Sequence, residues 1–216
     1  MTERLSYIFN EIPPCEVFAD IACDHGYIAG AMLRSGKCRR AVVSDISAKS
    51  LKKAEDLLSD YINDGRAQSF VSDGFDNVPQ VDVALVAGIG GRLTMDILER
   101  AKAADKLPET LVLQPMKHVD KVRFFAVGIG YKIVKDFTVK SDGQFYDIIV
   151  LKKGKDSLSR EEAEFGRTNL TEKPLAFREK MRFEIDKVLK YLESETMTYK
   201  TRASMLKKIE RLKKHV

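Results

Sequence analysis

Cysteine and histidine are scarce in this chain, with three of each among 216 residues. Cys15, Cys23 and Cys38 share no CxxC spacing, which excludes a zinc ribbon and a disulfide framework and points to a reducing compartment. His25, His118 and His215 are scattered, so no metal site is expected. The uncharged apolar stretches are far too short to cross a bilayer, and MTERLSYIFNEIPP lacks a signal-peptide layout. A cytoplasmic protein with no membrane partner is the expectation. The dinucleotide fingerprint is missing as well: G-x-G-x-x-G would need glycines where Ala22 and Asp24 stand, and only Gly26 fits.

What is present is a buried strand that runs into a tight turn and then a helix, VFADIACDHGY at 17–27 followed by IAGAMLR. This is how a doubly wound α/β fold builds its cofactor site, with helix N–H groups left free to bind the ligand. A carboxylate at Asp24 would repel a pyrophosphate on that helix end, which argues against NAD or FAD. It favours a ligand that is cationic or zwitterionic there, and S-adenosylmethionine, with its ammonium and sulfonium, fits. The alternative is that Asp24 only caps the helix.

With 44% hydrophobic residues the chain can bury a substantial core, and its length suits one full domain plus an appendage. Thr2 to Asn10 can cap and form a short helix that Pro13 and Pro14 end. Strands are expected at 17–21, 41–45, 67–73, 81–88 and 110–115, alternating with helices. One of these runs from Ser47 through SAKSLKKAEDLLSDYI, with Leu51, Ala54, Leu57, Leu58 and Tyr61 on one face. Two further strands, YKIVKDFTVK and QFYDIIVLKK, are joined through Asp-Gly, a hairpin signal. Five alternating strands and a closing antiparallel hairpin make a Rossmann-like sheet, mostly parallel, over residues 1–155; by fold analogy alone, this is the sheet of class I methyltransferases rather than of dehydrogenases.

Residues 156–216 read as a separate helical, coiled-coil-like domain. Ser159 to Glu162 forms a capping box, and Pro174 suits the first turn of a longer helix. Met181, Ile185, Val188, Leu189 and Leu192 form one stripe, and Met205, Ile209, Leu212 and Val216 form another. With a break near Ser194 these read as an antiparallel helical hairpin. From Arg160 onward there are 15 Lys+Arg against 10 Asp+Glu, whereas residues 1–159 hold 22 of each. The tail therefore carries the whole +5 excess and suits a polyanionic partner, or simply a solvated surface. Lys207, Lys208, Arg211, Lys213 and Lys214 are assigned to the solvent side of its last helix.

Strand ends line the ligand crevice in such a fold. Asp45 lies where an acid would hydrogen-bond ribose hydroxyls, and Asp73 ends the next strand, where an adenine amino group would sit. Asp20 can hold the turn or the methionine ammonium through water. Gly88, Gly90 and Gly91 follow the fourth strand, either for backbone freedom or for close approach of a base. Gln114 either contacts the edge of a base or ties down its loop. His25 sits in the cofactor turn as a donor or as packing, while His118 reads as a helix-start residue.

DIACDHGYIAG, VVSDIS, SDGF, DVALVAGIGGR, LVLQP and the FG…KPLAF stretch at 165–177 together resemble the bacterial tRNA 1-methyladenosine-22 methyltransferases, the TrmK family. The resemblance spans the whole chain. It implies an S-adenosyl-L-methionine-dependent enzyme that methylates N1 of an adenosine in the D-arm region of tRNA. By resemblance, the cofactor site is Asp20, Ala22, Cys23, Asp24, His25, Gly26, Asp45, Ile46, Asp73, Gly74, Ala87 and Gly88. Asp24, His25, Gly90 and Gln114 would face the chemistry, Arg92 and the tail lysines the tRNA, in a monomer. The family more often has Gly and Ser at the positions of Ala22 and Cys23, and Asn at that of Met116. Adenine N1 has an available lone pair, so transfer needs positioning and electrostatics rather than prior proton removal. The competing readings are another RNA or a small molecule as acceptor, or a catalytically silent RNA-binding module. A small-molecule enzyme would keep its activity after truncation near Lys155.

Overall fold

The computed structural model describes residues 1–193 and 197–216. Helix α1 (Glu3–Glu11) is capped by the Thr2 hydroxyl and followed by the prolines. Strand β1 (Cys15–Ile21) then runs through the middle of the molecule with its last four residues buried. Its buried part, Phe18 to Ile21, is apolar save for Asp20, as suits a central parallel strand covered on both faces. Helix α2 (Tyr27–Arg34) follows the turn, then β2 (Cys38–Asp45), α3 (Ala48–Leu57), α4 (Ser59–Asn63), β3 (Ala67–Val71) and β4 (Val83–Ala87). The body closes with α5 (Gly91–Ala103), β5 (Thr110–Gln114), α6 (Val119–Gly128) and the hairpin β6 (Tyr131–Ser141) and β7 (Gln144–Lys153).

The seven strands lie in one sheet in the order β3-β2-β1-β4-β5-β7-β6. All neighbours pair in parallel except β7, which runs antiparallel to both β5 and β6. Asp142 and Gly143 both take left-handed backbone angles, as a two-residue hairpin turn requires. Because Leu113 is in register with Ile149, that turn rises at the same edge as the C-terminal ends of the parallel strands. One apolar layer packs α1, α2 and α3 on one face of the sheet, around Phe18, Val43 and Leu85. The other packs α5 and α6 around Ile21, Val86 and Leu113.

The tail is α7 (Arg160–Phe165), α8 (Arg167–Glu172), α9 (Leu175–Leu192) and α10 (Tyr199–Lys213). The capping box at Ser159 and Glu162 is formed in both directions. Helices α9 and α10 share a third apolar core of Phe165, Phe177, Met181, Ile185, Val188, Leu192, Ile209 and Leu212. The position near Ser194 lies outside the described residues.

Several sequence-based expectations need correction. The helix from Ser47 is two helices: the chain leaves helical geometry at Leu58, whose side chain is buried while that of Leu57 turns outward. Leu189 and Val216 continue the tail stripes in spacing but are exposed. The third strand stops at Val71, short of Asp73, because buried Ser72 turns the chain with its N–H on the Asp45 carbonyl. Pro174 stands at the cap of α9 rather than inside its first turn.

Candidate functional site

The turn after β1 is built for close approach. Ala22 takes φ +58°, a left-handed angle that costs an L-residue about 1–2 kcal/mol. Cys23 donates its N–H to the Ser44 carbonyl at 2.9 Å, and its sulfur accepts the N–H of Gly26 at 3.1 Å, so the thiol serves as a turn bracket. Burial and then neighbouring Asp20 push that thiol far above its ordinary pKa, keeping it protonated. Gly26 caps α2 at φ +70°, and a β-carbon there would lie 3.1 Å from that of Ala54 on α3. Gly26→Ala is expected to lose about 1–3 kcal/mol from the backbone angle alone. Urea denaturation checks this, and an unchanged midpoint would show that the turn relaxes freely.

A cleft of about 520 Å³ opens at this edge of the sheet. It brings together Asp20, Ala22, Cys23, Asp24, His25, Gly26, Asp45, Ala87 and Gly88, all named from sequence. Asp20 is almost fully enclosed at the strand end, and burial raises its carboxyl to about 6, with the Cys23 thiol and Ala29 N–H pulling the other way. Asp45 ends β2 with one oxygen accepting the Ser47 N–H at 2.7 Å, leaving further acceptor capacity on the carboxylate. Asp24 stands at the outer lip, 2.9 Å from Lys53 Nζ and 2.8 Å from His25 Nδ1. The lysine hydrogen bond holds that carboxylate below its ordinary pKa. His25 lies stacked on Tyr27, with ring centroids 5.1 Å apart. Ile46 is 70% exposed beside Asp45, a bare apolar side chain at the end of β2.

The remaining predicted residues lie elsewhere or are already engaged. Asp73 does not line the cleft; it pairs with Arg100 of α5 at 2.6 Å. Gly74 is needed sterically, since a β-carbon there would lie 2.7 Å from the Ile97 side chain. Gln114 is fully buried, accepting from Arg4 Nη1 at Oε1 and donating from Nε2 toward the Met116 sulfur at 3.4 Å. Both ends of its amide are thus engaged within the protein. Gly88 needs its positive φ of 78°, and Gly91 admits no β-carbon because the Lys117 carbonyl lies against it. A β-carbon on Gly90 would meet nothing, so this residue leaves open space. His118 begins α6 in a left-handed conformation, as a helix-start residue. Arg92 is exposed at the start of α5.

Thr2, Arg4 and Leu5 of α1 also line the cleft. Reading from the sequence missed them because the partner of Arg4 lies 110 residues away, and locally α1 shows only amphipathic spacing.

A second cleft, of about 820 Å³, separates α6 from the tail. Lys208 and Arg211 line it, paired with Glu184 at 3.4 Å and Glu164 at 2.8 Å. Both side chains stay open to solvent, 42% and 55% exposed, while reaching these carboxylates across the cleft. Lys207, Lys213 and Lys214 are exposed. Among the described residues no cluster of three or more metal-ligating side chains occurs, and no helix is long and apolar enough to cross a membrane.

Comparison with known proteins follows the same lines. A Mycoplasma pneumoniae protein provisionally named a tRNA methyltransferase is 32% identical over 161 residues, which cover 72% of this chain and 73% of that one. The tRNA (adenine(22)-N(1))-methyltransferase of Bacillus subtilis is 27% identical over 71% of this chain and 66% of its own. A Streptococcus pneumoniae protein, provisionally named a tRNA (m1A22) methyltransferase and solved with S-adenosyl-L-methionine, superposes with a TM-score of 0.88 at 25% identity. That superposition covers 99% of this chain and 98% of that one. The methyltransferase-domain family matches residues 1–149, nearly the whole α/β body and ending inside β7, and the chain belongs to it.

Proposed function

We propose that this protein transfers the methyl group of S-adenosyl-L-methionine to N1 of adenosine 22, in the D-arm region of tRNA. The observation that carries the reading is the cleft itself: Asp20, Asp45 and the Ala22–Gly26 turn converge at the strand ends, beside a glycine rim with open space at Gly90. The donor set fits that cofactor. Asp45 can take ribose hydroxyls, exposed Ile46 can cover a face of the adenine, and Asp20 offers negative charge to an ammonium. A pyrophosphate would meet three carboxylates here and is disfavoured. The curated relative from Bacillus subtilis bears the name of this reaction.

When bound, the cofactor supplies an electrophilic methyl group on a sulfonium. The protein's part is to bind, orient and exclude water. Adenine N1 attacks with its own lone pair, so no side chain needs to remove a proton first. Asp24 and His25 stand at the lip, where a carboxylate would favour the positive charge that the base acquires. Gln114, tied to Arg4 and Met116, shapes the rim rather than reading the base. N1 is a pairing position, so the adenosine must be unpaired or turned out of its stack to enter. Exposed Lys207, Lys213, Lys214 and Arg92 are assigned to tRNA phosphates; Lys208 and Arg211 join them only by exchanging their carboxylate partners. Cofactor binding by residues 1–155, tRNA contact by 156–216, a monomeric state and a cytoplasmic location complete the proposal.

Incubating the protein with labelled adenosylmethionine and unmodified tRNA, followed by nucleoside analysis, tests this. The expected product is 1-methyladenosine, lost in a transcript carrying G at position 22. Label persisting in that transcript would move the target; cofactor binding without any labelled tRNA would move the acceptor to another RNA or a small molecule. Asp45→Ala is expected to weaken adenosylmethionine binding by about 1–3 kcal/mol, the loss of one or two hydrogen bonds to ribose hydroxyls. Unchanged affinity by calorimetry would remove Asp45 from the ribose.

A further inference from the structure

The cleft collects negative charge. Asp20, Asp24 and Asp45 line it, and Arg4 is the one arginine or lysine among its lining residues. Arg4 is held in place by two neutral groups. Its Nη1 donates to the side-chain oxygen of Gln114, and its guanidinium lies over the Tyr146 ring, 5.4 Å from the centroid. It forms no ion pair with a carboxylate among the described residues. A partly buried guanidinium that is positioned but not neutralised keeps most of its five donors for something else. Its planar fork matches a carboxylate in bidentate fashion.

Adenosylmethionine carries one carboxylate, and Arg4 is the one arginine or lysine of this acidic lining that can pair with it. Resting on the cofactor reading above, we infer that Arg4 receives the carboxylate of the cofactor's methionine moiety and, through Gln114, links cofactor seating to the rim where the base enters. The guanidinium approaches the Gly88 backbone, where a β-carbon would lie 3.7 Å from Nη1, so it stands at the junction of cofactor cleft and acceptor rim. A tRNA phosphate is the less suitable ligand, because Arg4 shares its cavity with the enclosed Asp20 and the turn, where a small molecule reaches more readily than a polynucleotide backbone.

The test compares adenosylmethionine with its decarboxylated analogue, which keeps sulfonium and ammonium, by calorimetry on the full chain. Wild type should bind adenosylmethionine the more tightly. Arg4→Gln should weaken adenosylmethionine by about tenfold or more, the scale of one charge-assisted hydrogen-bond pair, and leave the analogue unchanged. Arg4→Lys, which keeps the charge without the fork, should fall between and covers the case in which the glutamine variant does not fold. Equal weakening of both ligands would overturn the assignment in favour of a packing role for Arg4. Unchanged cofactor affinity with a raised KM for tRNA would overturn it in favour of an RNA phosphate. If wild type bound neither ligand, the adenosylmethionine reading itself would fall, and the assignment with it.

Discussion

Arg123→Ala is expected to cost about 3–5 kcal/mol of stability, enough to unfold a large share of the molecules of a marginally stable protein. Arg123 is 0% exposed on α6, yet it carries a charge. Its Nε lies 2.9 Å from an Asp136 oxygen, its Nη2 lies 3.5 Å from an Asp147 oxygen, and its Nη1 donates to the Ala163 carbonyl at 3.0 Å. Burial alone would raise the Asp147 carboxyl, but Lys180 of α9 and Arg123 together hold it below its ordinary value. Asp136 also accepts the Thr168 N–H at 2.9 Å, and Gly166 is free of a side chain where a β-carbon would lie 2.8 Å from the guanidinium. Removing the arginine leaves buried Asp136 without its counter-ion and Asp147 with Lys180 alone, which is why the cost exceeds that of a surface pair. A urea midpoint that places Arg123→Ala within about 1 kcal/mol of wild type would show that water replaces the guanidinium.

This cluster bears on how the tail is to be studied. It joins α6, β6 and β7 of the body to α7, α8 and α9 of the tail, so deletion from residue 156 would remove Lys180, the Ala163 carbonyl and Thr168 from around buried charge. Truncation would then report on stability as much as on tRNA binding. Charge removal at exposed Lys207, Lys213 and Lys214, with Lys208 and Arg211 left in their pairs, separates the two.

The doubly wound body was legible because most of its parallel strands are short apolar runs bounded by turn residues, and Asp142-Gly143 marks the hairpin outright. The turn after β1 was legible for the same reason: Asp20 within β1, Asp24 in the turn and Asp45 at the end of β2 stand at one edge of the sheet and line one cleft. What failed depended on where a strand or helix stops. The third strand was drawn two residues too long, to Asp73, and Leu57 was placed in the core by a helix drawn through its break at Leu58. Lys208 and Arg211 share a helix with Lys207 and Lys213, and only the position of α9 and α7 shows which of them meet carboxylates. Arg4 and Arg123 left no local trace, since each acts through partners brought near by the sheet; the Ala163 carbonyl bound by Arg123 is 40 residues away.

Asp20→Asn is expected to raise stability by about 3 kcal/mol at pH 7, by almost nothing near pH 4, and to weaken the cofactor. The enclosed carboxyl has its pKa raised from 3.8 to about 6, so between those values the folded protein holds a proton that the unfolded chain has released. The native state then binds more protons than the unfolded one, and stability must fall as pH rises through that window, by about 1.4 kcal/mol for each pH unit crossed. Above pH 6 the native state carries the full cost of a buried, unpaired carboxylate. Asparagine has nearly the same shape, keeps an oxygen for the Ala29 N–H, and has no charge to bury, so the variant lacks this pH dependence. A bound ammonium reverses the balance by favouring the ionised form, so wild-type affinity for adenosylmethionine should drop as pH falls below about 6. Urea denaturation of both proteins at pH 4 and pH 7, with calorimetry of cofactor binding over the same range, measures each side. A variant no more stable at pH 7 than at pH 4, relative to wild type, would mean that Asp20 is paired or hydrated in solution. Paired with weakened binding, the expected gain would make Asp20 a residue kept at the expense of stability for the ligand it holds.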